Sequence, residues 1–220
     1  MTFTPEEVAA GQAIYTPKLL SIYDLLVLGL SNRFIWKCPT PRQLAHYDRH
    51  VSANHLDVGV GTGYYLDRCL FPVTAPRVAL MDMNANSLDF AARRIARYKP
   101  ETYVRNVLEE IPFEGERFDS VGLNYLLHCL PGDMSAKARC FDSLAQLMKP
   151  GAAIFGATLL QGGVKRSAAA RALMRFYNSK GVFSNTQDDL DTLGRELQKR
   201  FSDVSIDVVG CGALFSARLL

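Results

Sequence analysis

Hydrophobic and polar positions change their spacing along the chain. Over residues 1–50 the apolar residues recur at helical spacing, and Thr4, Thr16 and Thr40 are each followed by proline, a pair that is typical of helix starts. No internal repeat interrupts this pattern. The first region therefore predicts helices at 5–14, 17–30 and 41–50.

Short apolar runs alternate with helix-like stretches after residue 50. Strand–helix alternation at this spacing is typical of a parallel sheet that is covered by helices on both faces. The predicted strands are 54–58, 77–82, 102–107, 118–124 and 152–159, and the predicted helices between them are 62–70, 86–98 and 134–148.

The last part of the chain has a different pattern. We expect helices at 164–178 and 187–200, the second one opened by Thr186. Strands at 203–209 and 212–219 follow, and the glycine turn between them is short enough to join only antiparallel neighbours. The predicted fold class is therefore α/β, with a seven-stranded, mostly parallel sheet that ends in a C-terminal antiparallel hairpin.

Composition and charge exclude several classes of protein. With 48% hydrophobic and 21% charged residues, the 220-residue chain is an ordinary globular sequence rather than a disordered, collagen-like or coiled-coil one. Its formal net charge of +3 does not suggest a nucleic-acid-binding face. The longest apolar run, 25–30, has six residues, whereas a bilayer span needs about 20.

Cysteine usage indicates the compartment. The five cysteines are odd in number and no two form a C-x-x-C pair, so neither a disulfide framework nor a structural zinc site is expected, and we predict no metal. The amino terminus carries two glutamates and lacks the basic segment of a signal peptide. We therefore expect a soluble, cytoplasmic protein without a membrane span.

A glycine-rich turn after the first predicted strand is the sharpest chemical feature. Residues 55–66 read HLDVGVGTGYYL, so that Asp57 ends a buried strand and Gly59, Gly61 and Gly63 lead into a helix. Glycines let the backbone turn tightly and approach a ligand closely, and the helix presents its amino terminus to that ligand. The turn therefore predicts a nucleotide or nucleoside site.

Two carboxylates accompany this turn. Asp82 ends the second predicted strand, where an acid can accept both hydroxyls of a ribose; as an alternative, Asp82 caps the following helix. Asp57 would repel a pyrophosphate but attract a ligand that carries an ammonium and a sulfonium. Tyr64 occupies the place of the third glycine of a dinucleotide-binding G-x-G-x-x-G loop. The pattern therefore favours a cationic amino-acid nucleoside over NAD.

These features together resemble the class I S-adenosylmethionine-dependent methyltransferase superfamily. The resemblance covers about residues 50–220 and is carried by D-x-G-x-G-x-G at 57–63, by the ribose acid, and by seven strands that end in a hairpin. It implies a Rossmann-like domain at 51–220, S-adenosylmethionine as the cofactor, and methyl transfer with release of S-adenosylhomocysteine. It also implies that residues 1–50 form a helical lid.

The resemblance places further residues at the cofactor. Met83 follows the ribose acid. Asn106 and Val107 fall where the family holds the adenine, with Asn106 in place of the usual acid; a turn residue is the alternative role of Asn106. Asn124 and His128 follow the fourth strand and are expected to line the methionine half of the cofactor.

Three residues are candidates for the chemistry itself. His128 is the most plausible general base, because an unperturbed imidazole titrates near neutrality; its alternative role is packing. Tyr15 and Tyr23, in the predicted lid, are expected to border the active site, where aromatic faces attract a sulfonium, and helix packing is the alternative for either one. Displacement at the methyl carbon otherwise requires that the protein position the two reactants and exclude water.

The acceptor is expected to be a small molecule. The segment after the fourth strand reads NYLL and lacks the proline pair of nucleic-acid amino-methyltransferases, so nucleic acid is disfavoured as a partner. The chain resembles the quinone and natural-product branch of the superfamily. A broad apolar face on helix 17–30 allows a homodimer. The alternatives are another adenosylmethionine-using transferase, a non-catalytic cofactor-binding domain that serves as a regulator or partner subunit, and a nicotinamide oxidoreductase.

Overall fold

Residues 24–220 are described by the computed structural model, and burial of side chains is described from Leu28 onward. The strands are β1 (Asn54–Val58), β2 (Arg77–Asp82), β3 (Glu101–Val104), β4 (Phe118–Asn124), β5 (Met148–Leu159), β6 (Phe201–Val209) and β7 (Gly212–Leu219). They form one seven-stranded sheet in the order β3-β2-β1-β4-β5-β7-β6.

The first five strands are parallel, as predicted. β1 pairs with both β2 and β4, β2 pairs with β3, and β4 pairs with β5. β7 pairs antiparallel with β5 and with β6, which confirms the C-terminal hairpin. Because the strand order reverses between β1 and β4, the sheet has a switch point there, where open α/β sheets bind ligands outside the carboxyl ends of the strands.

Two strand ends differ from the prediction. β3 ends at Val104 instead of residue 107, because the backbone turns at Asn106, whose carbonyl accepts a hydrogen bond from the Glu109 amide at 3.1 Å. β5 begins at Met148, four residues before the predicted start at 152. The pairing of β4 with β5 shifts register there, which lets the strand continue through Pro150 and Gly151.

The helices of the described chain agree with the prediction in number and order more closely than in length. The predicted helix 62–70 is only five residues long, and the predicted helix 134–148 is divided at Ala138. The α-helices are α1 (Thr40–His50), α2 (Tyr64–Arg68), α3 (Ala85–Arg94), α4 (Met134–Lys137), α5 (Arg139–Ala145), α6 (Ala168–Ser179) and α7 (Leu190–Gln198).

The predicted start of the last helix is wrong. We expected Thr186 to open the last helix at residue 187, but α7 begins at Leu190. The side chain of Asp189 accepts a hydrogen bond from the Thr192 amide at 2.8 Å, so that Asp189 is the N-cap. Both residues are good N-caps by type, and only the observed hydrogen bond distinguishes them.

The amino-terminal region is described only in part. Asp24–Ile35 forms a π-helix, which extends five residues beyond the predicted end at residue 30. The predicted helix 5–14 and the first half of the predicted helix 17–30 lie outside the described residues, as do Tyr15 and Tyr23.

Two hydrophobic clusters cover the two faces of the sheet. Val78 and Leu80 of β2 pack with residues of α1, α2 and α3, whereas Ala79 and Met81 belong to the cluster that includes residues of α5 and α7. Adjacent residues of a strand face opposite sides, so this division follows from the strand's period of two. Burial on both faces explains why residues 78–81 of β2 read as an apolar run rather than as an alternating sequence.

None of the helices in residues 24–220 has the length and apolar composition of a membrane span. Nor does this part of the chain bring together three or more His, Cys, Asp or Glu side chains that could hold a metal ion. All five cysteines lie in the described range as free thiols, and burial raises the pKa of Cys38 and Cys69 to about 12. These two thiols therefore stay protonated at neutral pH.

Candidate active site

A cavity opens at the switch point of the sheet, outside the carboxyl ends of β1, β2 and β4. It encloses about 1090 Å³, including its open mouth. Eight of the nine predicted cofactor residues line it: Asp57, Gly59, Gly61, Asp82, Met83, Asn106, Val107 and Asn124.

The glycine turn needs its glycines for two different reasons. Gly59, Gly61 and Gly63 have φ angles of +69°, +51° and +70°, which disfavour any residue with a side chain. A Cβ on Gly59 would also lie 2.8 Å from Cδ1 of Leu126, whereas a Cβ on Gly61 would meet nothing within 4 Å. Gly61 therefore leaves the cavity wall as bare backbone, while Gly63 lies behind the wall as the residue before α2.

Asp57 is held at the floor of the cavity by buried side chains. It is 6% exposed, and its Oδ1 accepts a hydrogen bond from the Tyr47 hydroxyl at 3.1 Å. The same hydroxyl lies 2.7 Å from Nε2 of His55, whose Nδ1 lies 2.8 Å from Oγ of Ser120. This chain of contacts fixes the carboxylate in a place where it faces the cavity.

Asp82 is a second carboxylate on the same wall. Burial raises its pKa to about 6, against the opposing effect of backbone N–H groups that include those of Asn84 and Val60. The helix cap of α3 is Asn84, whose side chain accepts from the Asn86 amide at 2.9 Å. Asn84, and not Asp82, therefore caps α3, and the carboxylate of Asp82 lies at the cavity.

Asn124 presents a polar group without a partner. The Nδ2 and Oδ1 atoms of its side chain are buried and make no hydrogen bond within the part of the chain that the structure describes. A buried amide that makes no hydrogen bond costs free energy, so such a group indicates a missing ligand or water. Since Asn124 lines the cavity, its amide is suited to a polar ligand there.

The region after β3 supplies an apolar wall. The Asn106 side chain is engaged in a turn: Oδ1 accepts from the Leu108 amide at 3.0 Å and Nδ2 donates to Glu109 at 2.8 Å. The turn places the buried side chains of Val107 and Leu108 against the cavity. Met83, 37% exposed, lies on the same cavity.

His128 is not among the residues that line the cavity. It is 2% exposed and packs edge-on against the ring of Phe183, at 4.6 Å between centroids. Its Nδ1 accepts a hydrogen bond from the Leu159 amide at 3.3 Å. Burial, with a smaller effect of the Lys137 charge, lowers the pKa of this imidazole to about 3. His128 is therefore a neutral packing residue behind the wall.

Several lining residues were missed by sequence reasoning. Tyr125 has a φ of +61°, an uncommon conformation for an aromatic residue, and nothing in the sequence marks it. Tyr65 is the second residue after the glycine loop, and that position was the signal that could have found it. The missed lining residues include Leu28, Thr62, Tyr65, Arg105, Tyr125, Leu126, Cys129, Leu130 and Pro131.

Comparison with known proteins agrees with this geometry. Residues 56–156 match the protein family described as "Methyltransferase domain". Demethylluteothin O-methyltransferase from Streptomyces thioluteus is 41% identical over 212 residues, which are 96% of this chain and 92% of that protein. The chain belongs to the class I S-adenosylmethionine-dependent methyltransferases. The Physcion biosynthesis cluster O-methyltransferase from Aspergillus chevalieri is 38% identical over 216 residues, covering 97% of this chain and 96% of the relative.

The solved structures support the fold. The DhpI–SAH complex superimposes with a TM-score of 0.69 at 17% sequence identity and covers 98% of both chains. Its likeness confirms a Rossmann-like sheet with a terminal hairpin. As a small-molecule methyltransferase, the protein transfers a methyl group from S-adenosylmethionine to a small-molecule acceptor. The family match and the two relatives favour this reaction over the alternatives of a nicotinamide oxidoreductase and a non-catalytic cofactor-binding domain.

The cavity fits S-adenosylmethionine in chemical terms. Its polar wall combines two carboxylates with the unpartnered Asn124 amide, and Gly61 leaves space for close approach of the ligand. When bound, S-adenosylmethionine supplies a methyl group on a positively charged sulfur. The residues that would hold and orient it are Asp57, with its negative charge, and Asp82, with its hydrogen-bond acceptors, and the apolar side chains would exclude water.

Proposed function

We propose that this methyltransferase methylates a hydroxyl oxygen of a small natural-product-type acceptor. The observation that carries the proposal is the cavity wall beyond Asn124, where Leu126, Leu130 and Pro131 face the same space as the cofactor carboxylates. An apolar wall with few polar groups is suited to a compact organic molecule. The two relatives, which are both named O-methyltransferases, support oxygen as the accepting atom.

The proposal assigns each cofactor residue a part in binding. Asp82 accepts the ribose hydroxyls, Asp57 attracts the ammonium end, and the amide of Asn124 pairs with the methionine group. Gly59, Gly61 and Gly63 shape the turn against which the cofactor lies. Met83, Asn106 and Val107 enclose the adenine, with Asn106 acting through its turn.

The chemistry rests on positioning rather than on a histidine base. All four histidines of the chain lie in the described residues, and none of them lines the cavity. The positively charged sulfur already activates the methyl group, so an acceptor hydroxyl needs alignment and release of its proton. Tyr15 and Tyr23 are our candidates for residues that border the acceptor. They belong to the proposed lid at 1–50, which precedes a proposed methyltransferase domain at 51–220.

A panel of matched acceptors tests the accepting atom. Purified protein is incubated with S-adenosylmethionine and with 1-naphthol, 1-naphthylamine or 1-naphthalenethiol, which share one framework and differ in the nucleophile, and then with smaller phenols and alcohols. Mass spectrometry and S-adenosylhomocysteine release are the readouts. Methyl ethers that form with the parent protein, but not with the Asp57→Ala variant, support the proposal. Methylation only at nitrogen, sulfur or carbon, or transfer of a different part of the cofactor, contradicts it.

We also infer the setting in which the enzyme works. Five free thiols are consistent with the reducing cytoplasm. A net charge of +3 without an obvious nucleic-acid motif supports a small molecule, rather than nucleic acid, as the partner. Leu30 and Phe34 on the π-helix are 50% and 58% exposed, and these exposed apolar side chains support a homodimer. Light scattering at several protein concentrations measures the oligomeric state.

A further inference from the structure

One buried amide joins two tyrosines that reach the cavity from different elements of the fold. Gln43 of α1 is 0% exposed. Its Oε1 accepts a hydrogen bond from the Tyr65 hydroxyl at 2.6 Å, and its Nε2 donates to the Tyr125 hydroxyl at 2.7 Å. Both tyrosines line the cavity, whereas Gln43 does not. The side chain of Gln43 therefore spans the two walls from behind.

The two walls come from different parts of the fold. Tyr65 lies in the first turn of α2, directly after the glycine loop, and Tyr125 directly follows Asn124 at the end of β4. The positive φ of Tyr125 is a conformation that persists only where the surroundings enforce it. Its backbone amide donates to Ala157 at 2.7 Å, and its hydroxyl is held by the Gln43 amide. Gln43 thus helps to fix the turn that carries the unpartnered Asn124.

The network continues into the amino-terminal region. The Tyr125 hydroxyl donates to Oδ1 of Asn32 at 2.8 Å, and Nδ2 of Asn32 donates to Oγ1 of Thr40 at 2.9 Å. Thr40 donates in turn to the carbonyl of Leu28, a residue that itself lines the cavity. Asn32 is 0% exposed, so each of these bonds is shielded from water. Each hydrogen bond of this chain is donated in the same direction, from Tyr65 towards Leu28, so the network specifies a single arrangement of these side chains.

We propose that Gln43 is a positioning residue of the cofactor site. Its amide sets the distance between α2, the helix after the glycine loop, and the turn after Asn124. Through Tyr125 and Asn32 the same hydrogen-bond network connects these two elements to the π-helix. The Gln43 amide offers an acceptor to the Tyr65 hydroxyl and donors to the Tyr125 hydroxyl and the Cys38 carbonyl. Gln43 and Asn32 lie before the stretch that matches the family, which begins at residue 56.

The experiment compares two buried amides of the full-length protein. Gln43→Leu removes the amide between the tyrosines. Asn185→Leu is the control: Asn185 is also 0% exposed, donates to Leu159 at 3.0 Å and accepts from Asn178 at 2.8 Å, and is not among the cavity residues. S-adenosylhomocysteine is the probe, so the test does not depend on the acceptor. Its affinity is measured by titration calorimetry, and the melting temperature of each unliganded variant is recorded.

A positioning role and a purely structural role give different results. We expect both variants to melt at lower temperature, but only Gln43→Leu to bind S-adenosylhomocysteine about tenfold more weakly while fully folded at 25 °C. If both variants lose stability and bind the probe within twofold of the parent, Gln43 only stabilises the fold and the proposal is wrong.

A second pair of variants keeps the test decisive if Gln43→Leu does not fold. Tyr65→Phe and Tyr125→Phe each remove one hydroxyl and leave the rings in place. Because Gln43 links the two hydroxyls, we expect the losses of affinity in the double variant to be clearly non-additive. Additive losses, or no loss in either single variant, would show that the amide does not couple the two walls.

Discussion

The hydroxyl of Tyr47 donates a hydrogen bond to Oδ1 of Asp57 over 3.1 Å, from a ring that is 0% exposed. Tyr47 belongs to α1, and Asp57 belongs to β1, so the helix that precedes the sheet orients the first acid of the glycine loop. A hydrogen bond to a charged group contributes about 1.5–3 kcal/mol, enough to decide which way a carboxylate points. The orientation of Asp57 is thus a property of the tertiary structure.

Removal of the Tyr47 hydroxyl should weaken cofactor binding. In Tyr47→Phe, Asp57 loses a hydrogen bond, and Nε2 of His55 loses the hydroxyl that lies 2.7 Å from it. We expect S-adenosylhomocysteine to bind about 3–10-fold more weakly, and urea denaturation to show a loss of about 1–3 kcal/mol in the free energy of unfolding. Tyr103→Phe is the matched control, since the Tyr103 hydroxyl donates to Glu101 at 2.6 Å away from the cavity. Equal affinities in the two variants would contradict a role for Tyr47.

Asp82 should make cofactor binding depend on pH. Burial raises its pKa from 3.8 to about 6, so between these values the folded protein holds a proton that the unfolded chain has lost. Stability from this group is therefore fully present below pH 3.8 and falls as the pH rises toward 6. In its proposed role the ionised carboxylate of Asp82 accepts the ribose hydroxyls, so the affinity for S-adenosylhomocysteine should rise through about pH 6.

Calorimetry in two buffers of different ionisation enthalpy checks this pH dependence. Binding at pH 5 should release protons, and the release should vanish near pH 7.5, outside the titration of the group that has a pKa of about 6. Asp82→Asn should remove the proton release and weaken binding throughout. Proton release that persists in the variant would assign the titration to another group.

Asn124 should affect stability and binding in opposite directions. Its amide is buried without a partner in the described chain, so Asn124→Leu removes a desolvation cost from the unliganded protein. We expect the free energy of unfolding to stay the same or to rise by about 1 kcal/mol, while the affinity for S-adenosylhomocysteine falls about tenfold or more. Thermal unfolding with and without ligand measures both effects. A less stable variant that keeps its affinity would place the hydrogen-bond partner of Asn124 within the protein.

His128→Gln distinguishes a packing residue from a general base. Loss of a general base commonly lowers the rate by about 10²–10⁴-fold. Because His128 is buried and its pKa is about 3, we expect kcat to fall by less than about fivefold at pH 7 and the pH profile to keep its shape. The melting temperature should fall, since the Leu159 amide loses its acceptor. A hundredfold lower kcat with an altered pH profile would restore His128 as the base.

The sequence by itself determined the architecture and most of the cofactor site. Short apolar runs between helical patterns specify the strands, and Asp57, the three glycines and Asp82 lie at or directly after strand ends at one edge of a parallel sheet. Neighbouring carboxyl ends must then converge, so eight of the nine expected cofactor residues share a cavity. This part was predictable because each contact follows from local pattern and sheet geometry.

Tertiary structure decided which side chains face the cavity and which support it from behind. His128 is four residues beyond Asn124, yet the turn at Tyr125, with its φ of +61°, sends one to the cavity and the other into the core. Gln43 and Tyr47 are 0% exposed and hold residues that are far away in sequence. Such contacts depend on how α1 packs on the sheet, and no spacing along the chain encodes which donor meets which acceptor.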